Sequence, residues 1–207
     1  YSGEGLELDG DSWLDLDHIG FFKRNQSFSI AIRLKVPEAL ENGVIFHKNI
    51  GTRLYSYRGY HLALKENKLE AMLAHVWPDN AIVEVSTTEI PKNEWMQLTM
   101  TYDGSSKAKG LKIYLDGEEL KTNVQVDNLY KDIIYKMPSE PGLQIGARWR
   151  GKGIGGSVVD DILVFTKELT ALEVVQISKA EKFQSIINKS ANELTQAENK
   201  MLNEYYV

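Results

Sequence analysis

The sequence predicts an all-β protein, a two-sheet antiparallel β-sandwich followed by a C-terminal helical tail. Up to about Phe165, apolar and polar residues alternate, or short apolar runs are cut by Gly, Asp and Asn. These segments recur roughly every ten residues with turn residues between them, a spacing typical of sandwiches rather than of β-α-β units. After Phe165 the apolar residues return at helical spacing.

The alternation is clearest in Ser27–Val36, which reads SFSIAIRLKV and has an apolar residue at every second position. The same kind of pattern predicts eight further strands, at Gly43–Lys48, Tyr60–Lys65, Lys68–His75, Ile82–Thr87, Met96–Tyr102, Leu111–Leu115, Gly142–Gly146 and Val158–Phe165. Successive side chains of a strand point to opposite sides, so one side of each strand should face a shared core.

Ten residues are predicted to face that core. They are Phe28, Ile30, Ile32, Leu34, Leu98, Met100, Ile113, Leu115, Ile162 and Val164. Trp13 and Trp95 adjoin alternating apolar segments, and we expect both in the core as well.

Two Asp-Gly pairs stand out between Trp95 and Leu120. Asp116-Gly117 separates KIYL from EEL, and Asp103-Gly104 opens the polar run SSKAKG. Asp-Gly is a strong hairpin signal because both residues tolerate positive φ. We therefore interpret both pairs as turns rather than as catalytic acids or metal ligands.

The tail carries two helix-start signals. Thr170 with Glu173, and Thr195 with Glu198, have the spacing of capping boxes. The predicted division is a sandwich over 1–168 and a helical segment over 169–207. The helix that begins at Thr170 should pack on the sandwich. The later apolar residues, with Tyr205 and Tyr206 at the end, could instead meet a neighbouring domain or a second copy of the chain in a dimer.

Composition excludes several classes of function. The net charge is −5 and no Lys or Arg run exceeds a pair, so nucleic acid is not an expected partner. No apolar stretch is long enough for membrane insertion. The absence of cysteine removes disulfides, thiolate nucleophiles and C-x-x-C-H haem attachment. Tyr1 in place of Met suggests either a trimmed chain or a domain excised from a longer protein.

An ordered series of short motifs resembles the laminin G-like, concanavalin A-like jelly-roll family. The series is W-x-x-x-x-x-T-Y-D-G-S from Trp95, L-x-I-Y-L-D-G from Leu111, GLQIG, VVDDILVF and the following L-T-x-x-E-V. The stretches RGYHLAL, HVWPDNAIVEV and VDNLYKDI further resemble the jelly-roll domain of large bacterial multidomain proteins that also carry cytochrome c domains. This resemblance implies a jelly-roll sandwich in an extracytoplasmic protein with neighbouring domains.

Catalytic patterns are missing from the sequence. Glucanases of the resembled fold carry E-x-D-x-E or E-x-D-x-x-E on one strand, and nothing here matches. Asp160 and Asp161 are adjacent, so a strand would point them to opposite sides. The four histidines show no H-x-H or H-E-x-x-H spacing, and we expect His61 and His75 in packing or surface positions. The sequence predicts that this protein is not an enzyme.

Aromatic residues in loops are the candidates for ligand binding. Trp77 and Asp79 lie in the turn WPDN, Arg148 and Trp149 precede a glycine-rich loop, and Tyr57 and Tyr60 flank Gly59. Exposed rings stack on sugar faces while polar side chains bond the hydroxyls. The alternative is that Trp77 and Trp149 only shield the ends of the core.

A structural calcium ion is the one cofactor that the resemblance suggests, joining the first strand to the last. Asp9 and Asp160 are its candidate ligands, since Ca²⁺ prefers carboxylate and carbonyl oxygens. The alternative is that Asp9 belongs to a turn and Asp160 is a hydrogen-bonded strand residue.

The sequence therefore predicts a non-catalytic carbohydrate-binding module, with a polysaccharide or other glycan as partner, within a larger extracytoplasmic bacterial protein. The alternative is an interaction domain that docks on its parent protein without recognising sugar.

Overall fold

The computed structural model describes residues 5–49, 57–134, 142–147 and 152–206. These residues form two antiparallel sheets that pack face to face, followed by three helices. The strands in chain order are β1 (Leu6–Glu7), β2 (Leu14–Leu16), β3 (Phe28–Lys35), β4 (Gly43–Asn49), β5 (Gly59–Lys65), β6 (Lys68–Val76), β7 (Asn80–Glu89), β8 (Trp95–Tyr102), β9 (Leu111–Leu115), β10 (Glu118–Glu119), β11 (Thr122–Asp127), β12 (Leu143–Ile145) and β13 (Val158–Phe165).

Sheet A has the strand order β1-β13-β3-β8-β9-β10, and sheet B has the order β11-β7-β6-β5-β4-β12-β2. All nine predicted strands are present, and the predicted β-sandwich is confirmed. β11 was not predicted. It lies at an edge of sheet B, and most of its residues are exposed. Val124 and Val126 alternate with polar residues, so the sequence carries a short two-residue period here that the strand prediction missed.

The core fills the space between the sheets, as the alternation predicts. Seven of the ten predicted core residues are fully buried there, namely Phe28, Ile30, Ile32, Leu34, Leu98, Met100 and Ile113. Leu115, Ile162 and Val164 are partly buried and pack against the same cluster. Both sheets therefore present one apolar side inward, and any binding chemistry must lie on their outer sides or at their ends.

Both Asp-Gly pairs are turns, as predicted. Asp116 and Gly117 have φ of 50° and 83° and connect β9 to β10. The Asp116 carboxylate also accepts a hydrogen bond of 2.8 Å from the Gln97 backbone N–H. The Asp103 carboxylate accepts a bond of 2.7 Å from the Ser105 backbone N–H. Each carboxylate stabilises its own loop, so neither aspartate is left for chemistry.

The tail forms three helices, α1 (Ala171–Ser178), α2 (Ala180–Ile187) and α3 (Gln196–Tyr206). The Thr170–Glu173 capping box at α1 is complete, with hydrogen bonds in both directions. Thr195 and Glu198 make the same reciprocal pair before α3. Both predicted helix starts are confirmed.

The tail packs on the sandwich and then on itself. Leu169 and Val174 join Tyr114 of β9 in a cluster on the outer side of sheet A. Leu172, Val175 and Ile186 form a second cluster between the helices. Phe183, Leu194, Met201 and Leu202 pack against this second cluster. The later tail residues thus bury much of their apolar surface within this chain. Tyr206 stays 78% exposed, as expected for a residue without a place in either cluster.

None of the helices in the described part of the chain has the length and apolarity needed to cross a lipid bilayer.

Candidate functional site

The outer side of sheet B carries a pair of histidines where β4 meets β5. His47 and His61 are directly opposite in the antiparallel register. The preceding pair, Phe46 and Leu62, points into the core, so the alternation turns both imidazoles outward. Both histidines are nevertheless buried.

Hydrogen bonds fix the orientation of each imidazole. His47 Nε2 lies 3.1 Å from the carbonyl oxygen of Ala147, and because a carbonyl only accepts, this nitrogen must donate. His47 Nδ1 then accepts a bond of 3.3 Å from the Asn49 backbone N–H. His61 Nε2 lies 3.3 Å from a carboxylate oxygen of Glu70 and donates to it. The two rings are held by different partners although they are neighbours.

Glu70 of β6 links His61 to a lysine. Its second carboxylate oxygen accepts a bond of 2.8 Å from Lys65 Nζ. Burial raises the pKa of Glu70, but the hydrogen bond from His61 and the bond and charge of Lys65 outweigh burial and lower that pKa to about 2. The carboxylate is therefore ionised at neutral pH, and it fixes the position of the His61 ring.

Asn49 lies two residues after His47, and hence on the same side of the strand. It is 4% exposed, and neither its amide oxygen nor its amide nitrogen has a hydrogen-bond partner among the described residues. Within that part of the chain, no other side chain has both of its polar atoms buried without a partner. Such a group is costly to bury, by roughly 1–3 kcal/mol, so its presence calls for an explanation.

Small residues lie beside Asn49. Its cross-strand partner is Gly59, and Ala74 and Ala81 continue the row across β6 and β7. A Cβ at Gly59 would lie 1.9 Å from the Lys48 carbonyl oxygen and 2.7 Å from Asn49 Cβ, and Gly59 has φ of +128°. Only glycine fits there. Ala74 and Ala81 are 0% exposed, so the row is a buried strip of small residues next to the unpartnered amide.

Three of the predicted ligand-binding residues lie at the same end of sheet B as this strip. Tyr57 packs against the apolar cluster of Met72, Ala74, Ala81 and Val83 on the same side of sheet B. Trp77, 37% exposed, and the exposed Asp79 lie in the turn that follows β6, three to five residues after Ala74. The structure thus brings Tyr57, Trp77 and Asp79 to one end of sheet B, beside Asn49.

The structure corrects the prediction for Tyr60. Its ring is fully buried in the core, with its centroid 4.9 Å from that of Phe28. Its hydroxyl donates a bond of 2.9 Å to the Gly20 carbonyl, and burial raises the pKa of the phenol. In β5, Tyr60 lies directly before the outward residue His61, so the alternation of the strand turns Tyr60 to the inner side. It is not available to stack on a ligand.

Arg148 and Trp149, the other two predicted ligand-binding residues, lie outside the described residues. In the sequence they follow Ala147, whose carbonyl contacts His47. Their part in binding stays a prediction.

The expected burial of Trp13 and Trp95 is wrong. The two side chains are 45% and 38% exposed. Trp13 precedes β2, which is an edge strand of sheet B. Trp95 precedes Met96, and since Met96 points into the core, the alternation turns Trp95 outward. Applying the two-residue period strictly from Met96 would have found the exposed ring.

The proposed meeting of Asp9 and Asp160 at a calcium ion is also wrong. β1 pairs with β13 through Leu6–Val159 and Glu7–Val158, so the two aspartates lie about four residues, or ~13 Å, apart along the strands. The Asp9 carboxylate accepts bonds from the backbone N–H groups of Ser12 and Asp11, which lower its pKa. Asp160 accepts a bond from the Asp161 N–H. In the described ranges, no group of three or more His, Asp or Glu side chains could hold a metal ion.

His47, Asn49 and Glu70 were not singled out as site residues from the sequence. A signal was nevertheless present. The strand GVIFHKN places His47 and Asn49 two residues apart, so two polar side chains share the outer side of an otherwise apolar segment.

Solved structures with the same architecture come from several binding proteins. The CBM40 of the Ruminococcus gnavus IT-sialidase, bound to α2,3-sialyllactose, superposes with a TM-score of 0.61 at 17% identity, covering 85% of this chain and 97% of that one. A SAP-like pentraxin from Limulus polyphemus gives a TM-score of 0.54 at 16% identity, covering 80% of this chain and 75% of that one.

The binding domain of botulinum neurotoxin serotype G gives a TM-score of 0.54 at 15% identity over 77% of this chain, which spans 38% of the toxin domain. At such identities the superpositions establish a shared fold. A search of curated protein sequences finds no significant match.

The family model described as the concanavalin A-like lectin/glucanases superfamily matches residues 8–175, from the buried Leu8 beside β1 to Val175 in α1. Because this match includes both sheets and the first tail helix, the chain belongs to the concanavalin A-like lectin/glucanases superfamily.

Proposed function

We propose that this domain is a non-catalytic recognition module that binds a glycan on the outer side of sheet B, at Asn49. The observation that carries the proposal is the buried Asn49 amide, which has no hydrogen-bond partner for either polar atom in the described part of the chain. A ligand that supplies those partners would recover the cost of burying the amide.

The chemistry of an amide suits a sugar. Its oxygen accepts and its nitrogen donates, and a sugar hydroxyl can do both at once. His47 and His61 lie beside Asn49 with fixed rings, and the small residues Gly59, Ala74 and Ala81 continue the row across the sheet from the amide. Trp77 and Tyr57 would add aromatic surface at the rim. The fold shared with the sialyllactose-bound module supports the same conclusion.

The placement of carboxylates favours recognition over hydrolysis. Glu70 and Glu84 lie on the adjacent strands β6 and β7, but Glu84 is opposite Ala71, which belongs to the core, whereas Glu70 is turned outward. Two carboxylates on opposite sides of a sheet cannot flank one glycosidic bond. Glu70 is moreover bound by His61 and Lys65.

A glycan ligand and a superfamily of binding sandwiches support an extracytoplasmic location for the parent protein, where such ligands are displayed.

A second candidate function is that of a domain that docks on its parent protein. The tail favours it, because Ile187, Tyr205 and Tyr206 are exposed apolar residues in the last two helices. Sedimentation of the purified chain, with and without the substitution Tyr206→Ser, tests whether this surface holds a second copy. A glycan-binding monomer would leave docking without support.

A glycan array tests the main proposal. The purified chain is compared with Asn49→Leu, which keeps the size of the side chain and removes both polar atoms. The matched control is Thr99→Val in sheet A, which also removes a buried atom without a described partner. Both substitutions should raise the free energy of unfolding, by about 1 kcal/mol, because each removes a desolvation cost. At least one glycan of the array should bind to Thr99→Val and no longer bind to Asn49→Leu.

If Asn49→Leu still binds every glycan that the wild-type chain binds, the Asn49 site is refuted. A loss of stability in Asn49→Leu would show that the amide has a structural partner, and would remove the observation on which the proposal rests.

A further inference from the structure

A groove lies on the opposite side of the molecule, between the outer side of sheet A and the junction of α1 and α2. We define this Trp95 groove by Arg33, Trp95, Asp161 and Leu163 on the sheet and by residues 176–182 of the tail. Its volume is about 770 Å³, enough for several sugar rings. None of these residues belongs to the site on sheet B.

The floor of the groove contains two exposed apolar side chains. Trp95 begins β8 and is 38% exposed, and Leu163 of β13 is 37% exposed. Gly5 lies so close to the edge of the indole that a Cβ there would be 2.9 Å from its Cη2 atom. The chain thus holds the indole in place while the residue stays 38% exposed, and an exposed aromatic ring can stack on a sugar.

Arg33 and Asp161 supply hydrogen-bonding groups beside the indole. The Arg33 guanidinium carbon lies 5.7 Å from the Trp95 ring centroid. One guanidinium nitrogen lies 3.9 Å from the Asp161 carboxylate, and the two side chains are 25% and 38% exposed. A planar donor group and a planar acceptor group therefore stand together at the edge of an aromatic surface.

The charges around the groove are balanced. Its lining contains three cationic and three anionic side chains, namely Arg33, Lys179 and Lys182 against Asp116, Asp161 and Glu181. Such a lining gives no electrostatic preference to a strongly anionic or cationic ligand. It suits a neutral ligand that both donates and accepts hydrogen bonds.

The backbone of β8 and β3 in the floor is already paired on both sides. β8 lies between β3 and β9, and β3 lies between β13 and β8. An extended peptide therefore cannot add a strand to β3 or β8, because that mode requires a free sheet edge. At Trp95 and Arg33, recognition goes through the side chains.

We propose that the Trp95 groove binds a neutral oligosaccharide, with one sugar ring stacked on Trp95 and its hydroxyls bonded to Arg33 and Asp161. The domain would then hold glycans on both outer sides of the sandwich and could bridge two chains. This proposal does not depend on the Asn49 site.

Calorimetric titration with a panel of neutral linear hexasaccharides (cellohexaose, xylohexaose, mannohexaose and maltohexaose) tests the proposal. At least one should bind, with a change in tryptophan fluorescence. Trp95→Ala should weaken that binding about tenfold or more. Trp13→Ala, which removes an exposed indole outside both sites, should leave it unchanged. Arg33→Met, which keeps the aliphatic stem, should weaken binding while the fold is retained.

Three outcomes would overturn the proposal. One is that no hexasaccharide binds. Another is that binding is lost in Trp77→Ala or Asn49→Leu but kept in Trp95→Ala, which would assign the ligand to sheet B. The third is a concentration-dependent dimer that Trp95→Ala dissociates, which would make the groove an interface between two copies. Glycan binding lost in Asn49→Leu but kept in Trp95→Ala would sink this proposal alone and leave the function proposed for sheet B intact.

Discussion

On both outer sides of the sandwich, the outward residues alternate with core residues in the same way, but the two sides differ in what covers them. On sheet A the outward residue Tyr114 is apolar enough to hold a helix, and Leu169 and Val174 cover it. On sheet B the outward residues His47, Asn49 and His61 are polar, yet they are buried. An apolar outer side is stabilised by covering it with another part of the chain. A polar outer side is stable only when its hydrogen bonds are made, and the described residues make none with the Asn49 side chain.

This difference separates architecture from function. The helices on sheet A bury apolar surface in two clusters and make that side part of the fold. The polar groups of sheet B bury little apolar surface and include an amide that costs stability. Binding sites often contain residues that make the fold less stable than another residue type at the same position would.

The largest expected effect tests whether the tail is part of the fold. Leu172 is fully buried in the cluster between the helices. Leu172→Ala should lower the free energy of unfolding by about 2–4 kcal/mol, because the cavity cannot fully collapse. Urea denaturation measures it, with Ile187→Ala as the control, since Ile187 is 40% exposed and should contribute little. An unchanged midpoint for Leu172→Ala would mean that the tail is an appendage.

The next effect concerns the polar side and depends on pH. Its bonds to His61 and Lys65 lower the pKa of Glu70 in the folded state to about 2, below its ordinary value of 4.5, so its ionised form stabilises the fold above pH 4.5. That contribution, on the order of 2 kcal/mol, should fade as the pH falls from 4.5 towards 2. Glu70→Gln should therefore be less stable than wild type at pH 7, and the gap should close near pH 2.

Urea denaturation of both proteins across this pH range measures the gap. A gap that stays constant with pH would show that Glu70 acts by packing and not through its charge. Glu38→Gln serves as the control, because it removes an exposed carboxylate of the same chemical type.

The smallest expected effect compares one capping motif in two places. Thr170→Ala removes the cap of α1, which is buried against sheet A, and should lower global stability by about 1 kcal/mol. Thr195→Ala removes the cap of α3, in which no residue is fully buried, and should leave the midpoint of denaturation almost unchanged.

Hydrogen exchange distinguishes the two caps. We expect the amides of α3 to exchange faster than those of the strands, and faster still in Thr195→Ala. If the amides of α3 in a monomer are protected as strongly as those of β3 and β8, the whole tail unfolds only together with the sandwich. The last helix would then belong to the structural side of the molecule.

The sequence alone determined three features that depend on residues close together along the chain. A two-residue period defined β3 and its core residues, and Asp116-Gly117 defined its hairpin. The Thr170–Glu173 spacing defined the start of α1. In each case the physical cause acts between residues that are close in the sequence, so the local sequence is enough to predict the element.

The tertiary structure decided which side of each strand is covered, and by what. Trp95 looked like a core residue and is exposed, whereas Tyr60 looked like a surface ring and is buried. Asn49 became a candidate only when its partners across the sheet proved to be Gly59 and the alanines beyond it. Alternation shows that the two sides of a strand differ. Which side is buried depends on the order of the strands and on segments far away in the chain. Both are fixed only when the whole sandwich closes around its core.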